Sequence, residues 1–274
     1  KKVWTPKKYQ KEITHPQAIE TVQLFIPFQG ASAVQKLYVL VSLDATRGNI
    51  LHLSTNYTQH QTGDSLRYSY KGNTEPTMHH RDIVQKVDMR EAQFLRRSQF
   101  DEIQYGSAVL KRNGKGAILR PVITAHGHFR ILKIRYPDVK THIISHECFL
   151  RGAIITAWAD QFRQQQGELW FVEEEISDSN ADTPWHFKGT TYHGWWQNQW
   201  QRWEQGNNCK MVCLLTGASL ERGANVSLAT SRCFITWLTD QHDFTQSALL
   251  SAGRVTQMLT SLALKYNESL TPSC

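Results

Sequence analysis

Two acidic residues of this chain stand where predicted β-strands end. Asp44 closes the apolar run that begins at Leu37, and Glu147 closes a second run that begins at Val139. Two-metal phosphoryl transfer needs carboxylates that hold a pair of Mg²⁺ ions about 4 Å apart. Asp44 and Glu147 are therefore candidate catalytic acids and metal ligands. A third acid is expected from a later helix, where Glu204 is the first candidate and Asp243 the alternative.

Each of these acids also has a plainer interpretation. Asp is common at the start of turns, and Asp44 precedes Arg47, Gly48 and Asn49. The segment between Leu37 and Tyr57 is then a β-hairpin whose turn begins at Asp44. On the hairpin alone, the turn interpretation is favoured over the metal-ligand interpretation.

The charge of the chain favours an anionic partner. The 274 residues include 31 Lys and Arg against 24 Asp and Glu, which gives a formal net charge of +7. Such an excess favours an anionic partner such as nucleic acid. The candidate phosphate contacts lie in and after a helix-like segment at residues 81–104. The alternative interpretation is that these basic residues form the solvated face of a helix. These candidates are Arg90, Arg96, Arg97, Lys111, Arg112 and Lys115.

Several classes of protein are disfavoured by what the sequence lacks. It contains no run of about 18 apolar residues and no apolar signal-peptide core. Its five cysteines are odd in number and scattered, which is typical of a reducing compartment. We therefore expect a cytoplasmic protein with no membrane partner. A DNA-binding function adds the expectation of association with the nucleoid and of possible homo-oligomers. Gly-rich phosphate loops, serine-hydrolase elbows and zinc-protease motifs are also missing.

The order of predicted elements indicates an α/β fold. After the hairpin come a strand from Gly116, with a helix as the alternative from Ala125, and the strand that ends at Glu147. Apolar residues at helical spacing then predict a helix over Leu150–Gln166, and a further strand follows from Glu168. A strand, helix and strand with short connections predict a parallel pair with a right-handed crossover.

The two ends of the chain are predicted less specifically. Residues 1–34 are predicted to be an N-terminal arm or linker with one short helix near Pro16–Phe25. Trp196, Trp200 and Trp203 have helical spacing and predict a helix packed on the core, with a base-stacking platform as the alternative. Lys210–Thr216 is a predicted strand, and two helices are predicted within residues 231–266, on either side of Gln241–Thr245.

Four segments of the chain carry a resemblance to a known family. They are Leu40–Asp44 with its hairpin, Phe94–Asp101 with Gly114–Pro121, Ala125–Arg130, and Ser145–Ala153. Together they resemble bacterial insertion-sequence transposases of the DDE type, or their inactivated derivatives, over residues 37–175. The opening Lys1–Thr5 also looks like the tail of a zinc ribbon.

This resemblance implies a fold, an activity and a missing segment. It implies a ribonuclease H-like mixed sheet with flanking helices over residues 35–274, with insertions at 58–115 and 178–230. The implied activity is Mg²⁺-dependent cleavage and transfer of DNA strands, acting on element ends and target DNA, with Asp44 as first acid, Glu147 as second and Glu204 as third. The alternatives are a catalytically inactive DNA-binding or regulatory derivative and a ribonuclease H-like nuclease. Because the chain begins at Lys1, an upstream segment is expected to be missing.

Overall fold

The computed structural model describes residues 15–30, 33–59, 82–100, 109–113, 116–178, 182–217 and 221–270. For residues 95–100, 109–113 and 221–222 the description covers the backbone alone. The predicted α/β class is confirmed, because a large mixed sheet is flanked by helices. Within the described ranges, no helix is both long and apolar enough to cross a membrane.

An eight-stranded mixed sheet organises the molecule. Its strand order is β3-β2-β1-β7-β8-β11-β10-β9. The pairs β1–β7 and β7–β8 are parallel, and the other neighbours are antiparallel. The strands are β1 (Ala18–Gln29), β2 (Val34–Asp44), β3 (Ile50–Thr55), β7 (Thr141–Ser145), β8 (Glu168–Glu175), β9 (His186–His193), β10 (Asn198–Gln205) and β11 (Asn208–Thr216).

A smaller sheet and seven helices complete the fold. The small antiparallel sheet has the order β4-β6-β5, with β4 at Tyr57–Thr58, β5 at Val109–Asn113 and β6 at Gly116–Leu119. The helices are α1 (Ile83–Phe100), α2 (Pro121–Arg135), α3 (Cys148–Ala157), α4 (Ala159–Arg163), α5 (Ala229–Thr239), α6 (His242–Thr245) and α7 (Ala252–Leu270). Two short 3₁₀ turns lie at Glu221–Asn225 and Ser247–Leu249.

Most strands predicted by alternation or by apolar runs are confirmed. The hairpin is β2 and β3, the strand before Glu147 is β7, and β8 and β11 lie where they were predicted. The parallel pairing of β7 with β8 is also confirmed. From Ala125 onward the helix alternative is the correct one, but the helix, α2, already begins at Pro121, where a strand was predicted.

The predicted helix near Pro16–Phe25 is wrong. Residues Ala18–Gln29 form β1, which lies between β2 and β7 in the large sheet. This part of the predicted N-terminal arm therefore belongs to the sheet, while residues 1–14 lie outside the described ranges. Asp44 consequently stands on the second strand of the sheet along the chain, and the first strand precedes it.

The helix predicted from the tryptophans is also wrong. Trp200 and Trp203 lie on β10, and Trp196 lies in the turn that joins β9 to β10. Because residues three apart on a strand face opposite sides, Trp200 packs on one face of the sheet and Trp203 on the other. The sequence also predicts a short strand at Ser65–Tyr70, and that segment lies outside the described residues.

Each face of the large sheet packs against its own helices. One face carries α1, α2 and α3 over a core that includes Phe129, Leu150 and Phe171, and we call it the α1–α3 face. The other carries α5 and α7 over a core that includes Val41 and Phe234, and we call it the α5–α7 face. Successive residues of the central strands alternate between the two cores.

Candidate functional site

Asp44 is the last residue of β2, at the start of the turn to β3. Its side chain is buried, and Oδ1 accepts hydrogen bonds from the backbone N–H of Thr46 at 2.8 Å and of Arg47 at 3.2 Å. Its backbone N–H donates to the carbonyl of Asn49, and Gly48 adopts a φ of 76°, which suits glycine. These contacts give Asp44 a structural part in the turn.

Glu147 caps α3 at the opposite end of the central strands. Its Oε1 accepts from the backbone N–H of Phe149 at 3.3 Å and from Sγ of Cys148 at 3.2 Å. Its Oε2 accepts from Nε2 of Gln23, on β1, at 3.3 Å. The group that β1 presents to Glu147 here is therefore a neutral amide.

The sheet register separates Asp44 from Glu147. Asp44 pairs with Ile19, which in turn pairs with His142 near the beginning of β7. Glu147 lies two residues beyond Ser145, the last residue of β7. Three residues of a strand span about 10 Å, and β1 lies between the two strands. The two acids therefore do not share a two-metal site in this arrangement, since that site spaces its ions about 4 Å apart.

Neither candidate for the third acid joins Glu147. Glu204 lies on β10, a strand where a helix was expected, and β11 and β8 separate it from β7. Its carboxylate pairs with Arg202 at 3.0 Å and Lys188 at 3.4 Å. Asp243 lies in the short helix α6. Among the described residues, no group of three or more His, Cys, Asp or Glu side chains is arranged to hold a metal ion.

The predicted phosphate contacts fall into three groups. Arg90 points back to the sheet, where its Nε lies 3.2 Å from Glu173 on β8. Arg96 and Arg97 lie in the last turns of α1, and Lys111 and Arg112 lie in β5, all in the part of the chain described by its backbone. Lys115 lies outside the described residues. Of these side chains, that of Arg90 forms a salt bridge within the protein.

A buried pair that the sequence analysis missed lies next to Glu147. Nε2 of His146 donates to Oε1 of Glu91 at 3.0 Å, and Asn198 donates to the same oxygen at 3.3 Å. Both members of the pair are at most 5% exposed. Burial lowers the pKa of His146, and the hydrogen bond that His146 donates to Glu91 opposes that shift. The available sequence signal was the spacing of Asp88 and Glu91 by three residues on a helix, which places both on one face.

Glu91 opens onto a depression between α1 and the β9–β10 turn. The depression has a volume of about 480 Å³ and is lined by Asp88, Glu91, Ala92, Gly194, Trp195 and Gln197. Oδ1 of Asp88 lies 2.6 Å from Nδ1 of His193, which ties the end of β9 to α1. The turn also contains Gln197 at a φ of 51°, which is uncommon for a residue other than glycine.

A chain of hydrogen bonds runs through the α1–α3 core. Thr21 contacts Ser42 at 2.6 Å, Ser42 contacts Nε2 of His128 at 2.8 Å, and Nδ1 of His128 contacts Ser54 at 2.7 Å. His52 stacks on His128 with ring centroids 4.7 Å apart. Burial lowers the pKa of His52 to about 4 and holds that of His128 well below its ordinary value. The pair is therefore neutral at pH 7.

The α5–α7 face buries two charged side chains. Glu20 accepts hydrogen bonds from the backbone N–H and the hydroxyl of Ser231, both at 2.9 Å, and burial raises its pKa. Lys210 donates to the carbonyls of Ala224 at 2.6 Å and Val226 at 2.7 Å, and burial lowers its pKa to about 8. Glu20 thereby ties β1 to the start of α5, and Lys210 ties β11 to the segment that precedes α5.

The comparisons with known proteins leave this site to be interpreted from its own geometry. The chain matches no protein-family model, and no curated protein matches it at a significant level.

Proposed function

We propose that this protein is a ribonuclease H-like, transposase-related DNA-binding protein that binds DNA without cutting it. The order β3-β2-β1-β7-β8 supports the fold assignment, since an antiparallel set of three strands is followed by two parallel ones. The net charge of +7 supports DNA as the partner.

The pairing of Gln23 with Glu147 carries the proposal that DNA is not cut. In a ribonuclease H-like core the first strand supplies the first acid, and here that strand, β1, presents an amide to Glu147. An amide oxygen brings no negative charge to a Mg²⁺ site, and the hard Mg²⁺ ion is bound mainly by carboxylates. Asp44, the acid expected in that role, is bonded into a turn at the far end of the sheet.

A nicking assay with matched variants tests the missing acid. We expect the wild-type protein to leave supercoiled plasmid intact in Mg²⁺ or Mn²⁺. Gln23→Asp places two carboxylates side by side, and we expect its melting temperature to rise on addition of Mg²⁺, because a bound ion stabilises the folded state. Asp44→Asn is the control and should leave the response to Mg²⁺ unchanged. Metal-dependent nicking by the wild type that Glu147→Gln abolishes would establish the catalytic transposase or nuclease instead.

A salt titration tests DNA binding itself. Each lost phosphate contact should reduce the slope of log K against log salt by about 0.9. We expect Arg96→Glu with Arg97→Glu to weaken binding to duplex DNA and to reduce this slope. Arg254→Glu with Lys265→Glu makes the same change of net charge on α7, across the sheet, and is the matched control. Equal losses in both double variants would indicate that net charge alone drives binding, and no binding to duplex DNA or RNA by the wild type would overturn the proposal.

A further inference from the structure

The depression between α1 and the β9–β10 turn combines a buried carboxylate with an exposed indole. Glu91 is 5% exposed, and the two hydrogen bonds that it accepts from His146 and Asn198 both go to Oε1. Among the described residues, none donates to Oε2 of Glu91. Glu91 lines the depression, and its Oε2 lies against Gly194, which lines it too, so this oxygen borders the space that a ligand would fill.

The backbone of the turn keeps Oε2 in place. A Cβ at Gly194 would overlap Oε2 of Glu91, so the carboxylate lies directly against the glycine backbone. The φ of 75° at Gly194 is also one that glycine adopts without strain. Asn198 and His193, on the two strands that flank the turn, both bond to acidic residues of α1. These contacts fix both acidic residues of α1 against the turn.

The remaining walls indicate the charge and shape of the ligand. Asp88 adds a second carboxylate whose side chain is 60% exposed, and His193 occupies one of its oxygens. Trp195 is 72% exposed and offers an aromatic face, which attracts cations. A volume of about 480 Å³ lies within the usual range of small-molecule sites. Two carboxylates beside an indole favour an organic cation in a protein whose net charge is positive.

The hydrogen bonding of Glu91 separates ammonium from guanidinium. A guanidinium binds a carboxylate most strongly through two parallel hydrogen bonds, which need both oxygens. Oε1 of Glu91 already accepts two donors, so one oxygen remains. An ammonium group is a compact charge that can donate to separate acceptors such as Glu91 and Asp88.

We propose that this depression binds a primary alkylammonium group. The nitrogen lies between the carboxylates of Glu91 and Asp88, and the alkyl chain lies along the indole of Trp195. The ligand is either the side chain of a lysine in a partner protein or a free polyamine, which share this chemistry. The site is separate from the proposed DNA contacts, because two carboxylates repel phosphate.

Calorimetric titration of the whole chain tests the proposal with four probes. Nα-acetyl-lysine amide represents a protein lysine, spermidine represents a polyamine, Nα-acetyl-norleucine amide has no side-chain charge, and Mg²⁺ represents a metal ion. We expect at least one ammonium probe to bind with one-to-one stoichiometry, and whichever binds more tightly identifies the source. No heat from either ammonium probe, equal binding of the norleucine probe, or displacement of the bound ammonium by an equimolar amount of Mg²⁺ would overturn the proposal.

Two neighbouring tryptophans provide a matched pair of variants. Trp195→Ala should weaken binding about two- to fivefold, the range of cation–π contacts at exposed sites. Trp196 is similarly exposed at 70% and does not line the depression, so Trp196→Ala should leave the affinity unchanged. Glu91→Gln removes the charge and should weaken binding about tenfold or more. Equal effects of Trp195→Ala and Trp196→Ala would contradict the proposed site, and this comparison holds even where Glu91→Gln fails to fold.

Discussion

The two faces of the large sheet bury different titratable groups, although the α1–α3 face also holds the carboxylate of Glu91 beside His146. The α1–α3 face holds imidazoles that burial keeps neutral at pH 7, and these are His52, His128, His142 and His146. The α5–α7 face holds Glu20 and Lys210, whose oxygens and ammonium group are bonded to α5 and to the segment before it. One face therefore depends on staying deprotonated, and the other depends on keeping its hydrogen bonds.

Acid should break the α1–α3 face first and with the largest effect. Burial lowers the pKa of His52 to about 4 and that of His142 to about 3, from 6.5. The unfolded chain therefore binds more protons below pH 6.5, so stability present above that pH is lost as the pH falls. Between pH 7 and pH 4 the loss is about 3 kcal/mol for each histidine. Urea unfolding over this range measures it, and a free energy of unfolding that is flat between pH 6.5 and pH 4 would contradict it.

Removing Glu20 should break the α5–α7 face at neutral pH. Glu20→Ala leaves the buried backbone N–H and hydroxyl of Ser231 without their acceptor. An unpaired buried donor costs about 1–3 kcal/mol, so we expect a loss of about 3 kcal/mol for the pair. Urea unfolding at pH 7 measures this loss. Glu204→Ala is the control, since its carboxylate is in surface pairs that contribute at most about 1 kcal/mol. Similar losses of unfolding free energy in Glu20→Ala and Glu204→Ala would show that the buried hydrogen bonds of Glu20 contribute no more than surface pairs.

His142→Leu should give the smallest change, and in the stabilising direction. His142 is fully buried against Trp158, with ring centroids 4.3 Å apart, and neither ring nitrogen has a hydrogen-bond partner among the described residues. Leucine has a similar volume and no polar atom, so we expect a gain of about 1 kcal/mol at pH 7.

The same variant sharpens the acid prediction. Without the imidazole of His142, the fall in stability between pH 7 and pH 4 should shrink by about 3 kcal/mol. Thermal melts at the two pH values measure both effects. Destabilisation at pH 7 together with an unchanged response to acid would show that His142 has a bonding role in the core.

The pattern of apolar residues along the sequence predicted the strands that are themselves mostly apolar. Runs of apolar residues that end in turn or polar residues are enough to identify the hairpin, β7, β8 and β11. Strand β1 was missed because Pro16 and Pro27 suggested a linker. Pro27 lies beyond Ala18–Thr21, the part of β1 that pairs with β7. At Pro27, β1 therefore pairs with β2 alone, and a proline, which has no N–H to donate, is tolerated there.

The candidate site was less predictable because it depends on distant contacts. Glu147 was found as a strand-end acid, but its partner Gln23 lies 124 positions away on a strand that was not predicted. Asp44 was placed correctly at the end of a strand. Only the register of β2 with β1 shows that this end of the sheet is the one opposite Glu147. Glu91 comes together with His146 and Asn198 only because α1 packs over the β9–β10 turn. No spacing within a single element predicts that contact.

A β-bulge on β9 protects an edge of the large sheet against aggregation. β9 is the last strand of the large sheet, and an open outer strand is a template for adding strands from other molecules. Where β9 pairs with β10 the register skips Lys188, with Gly189 opposite Arg202 and Phe187 opposite Trp203. Lys188 is thereby left unpaired in the ladder, and its ammonium group lies 3.4 Å from Glu204. A charged, twisted stretch in the outermost strand makes sheet-to-sheet aggregation unfavourable at this edge.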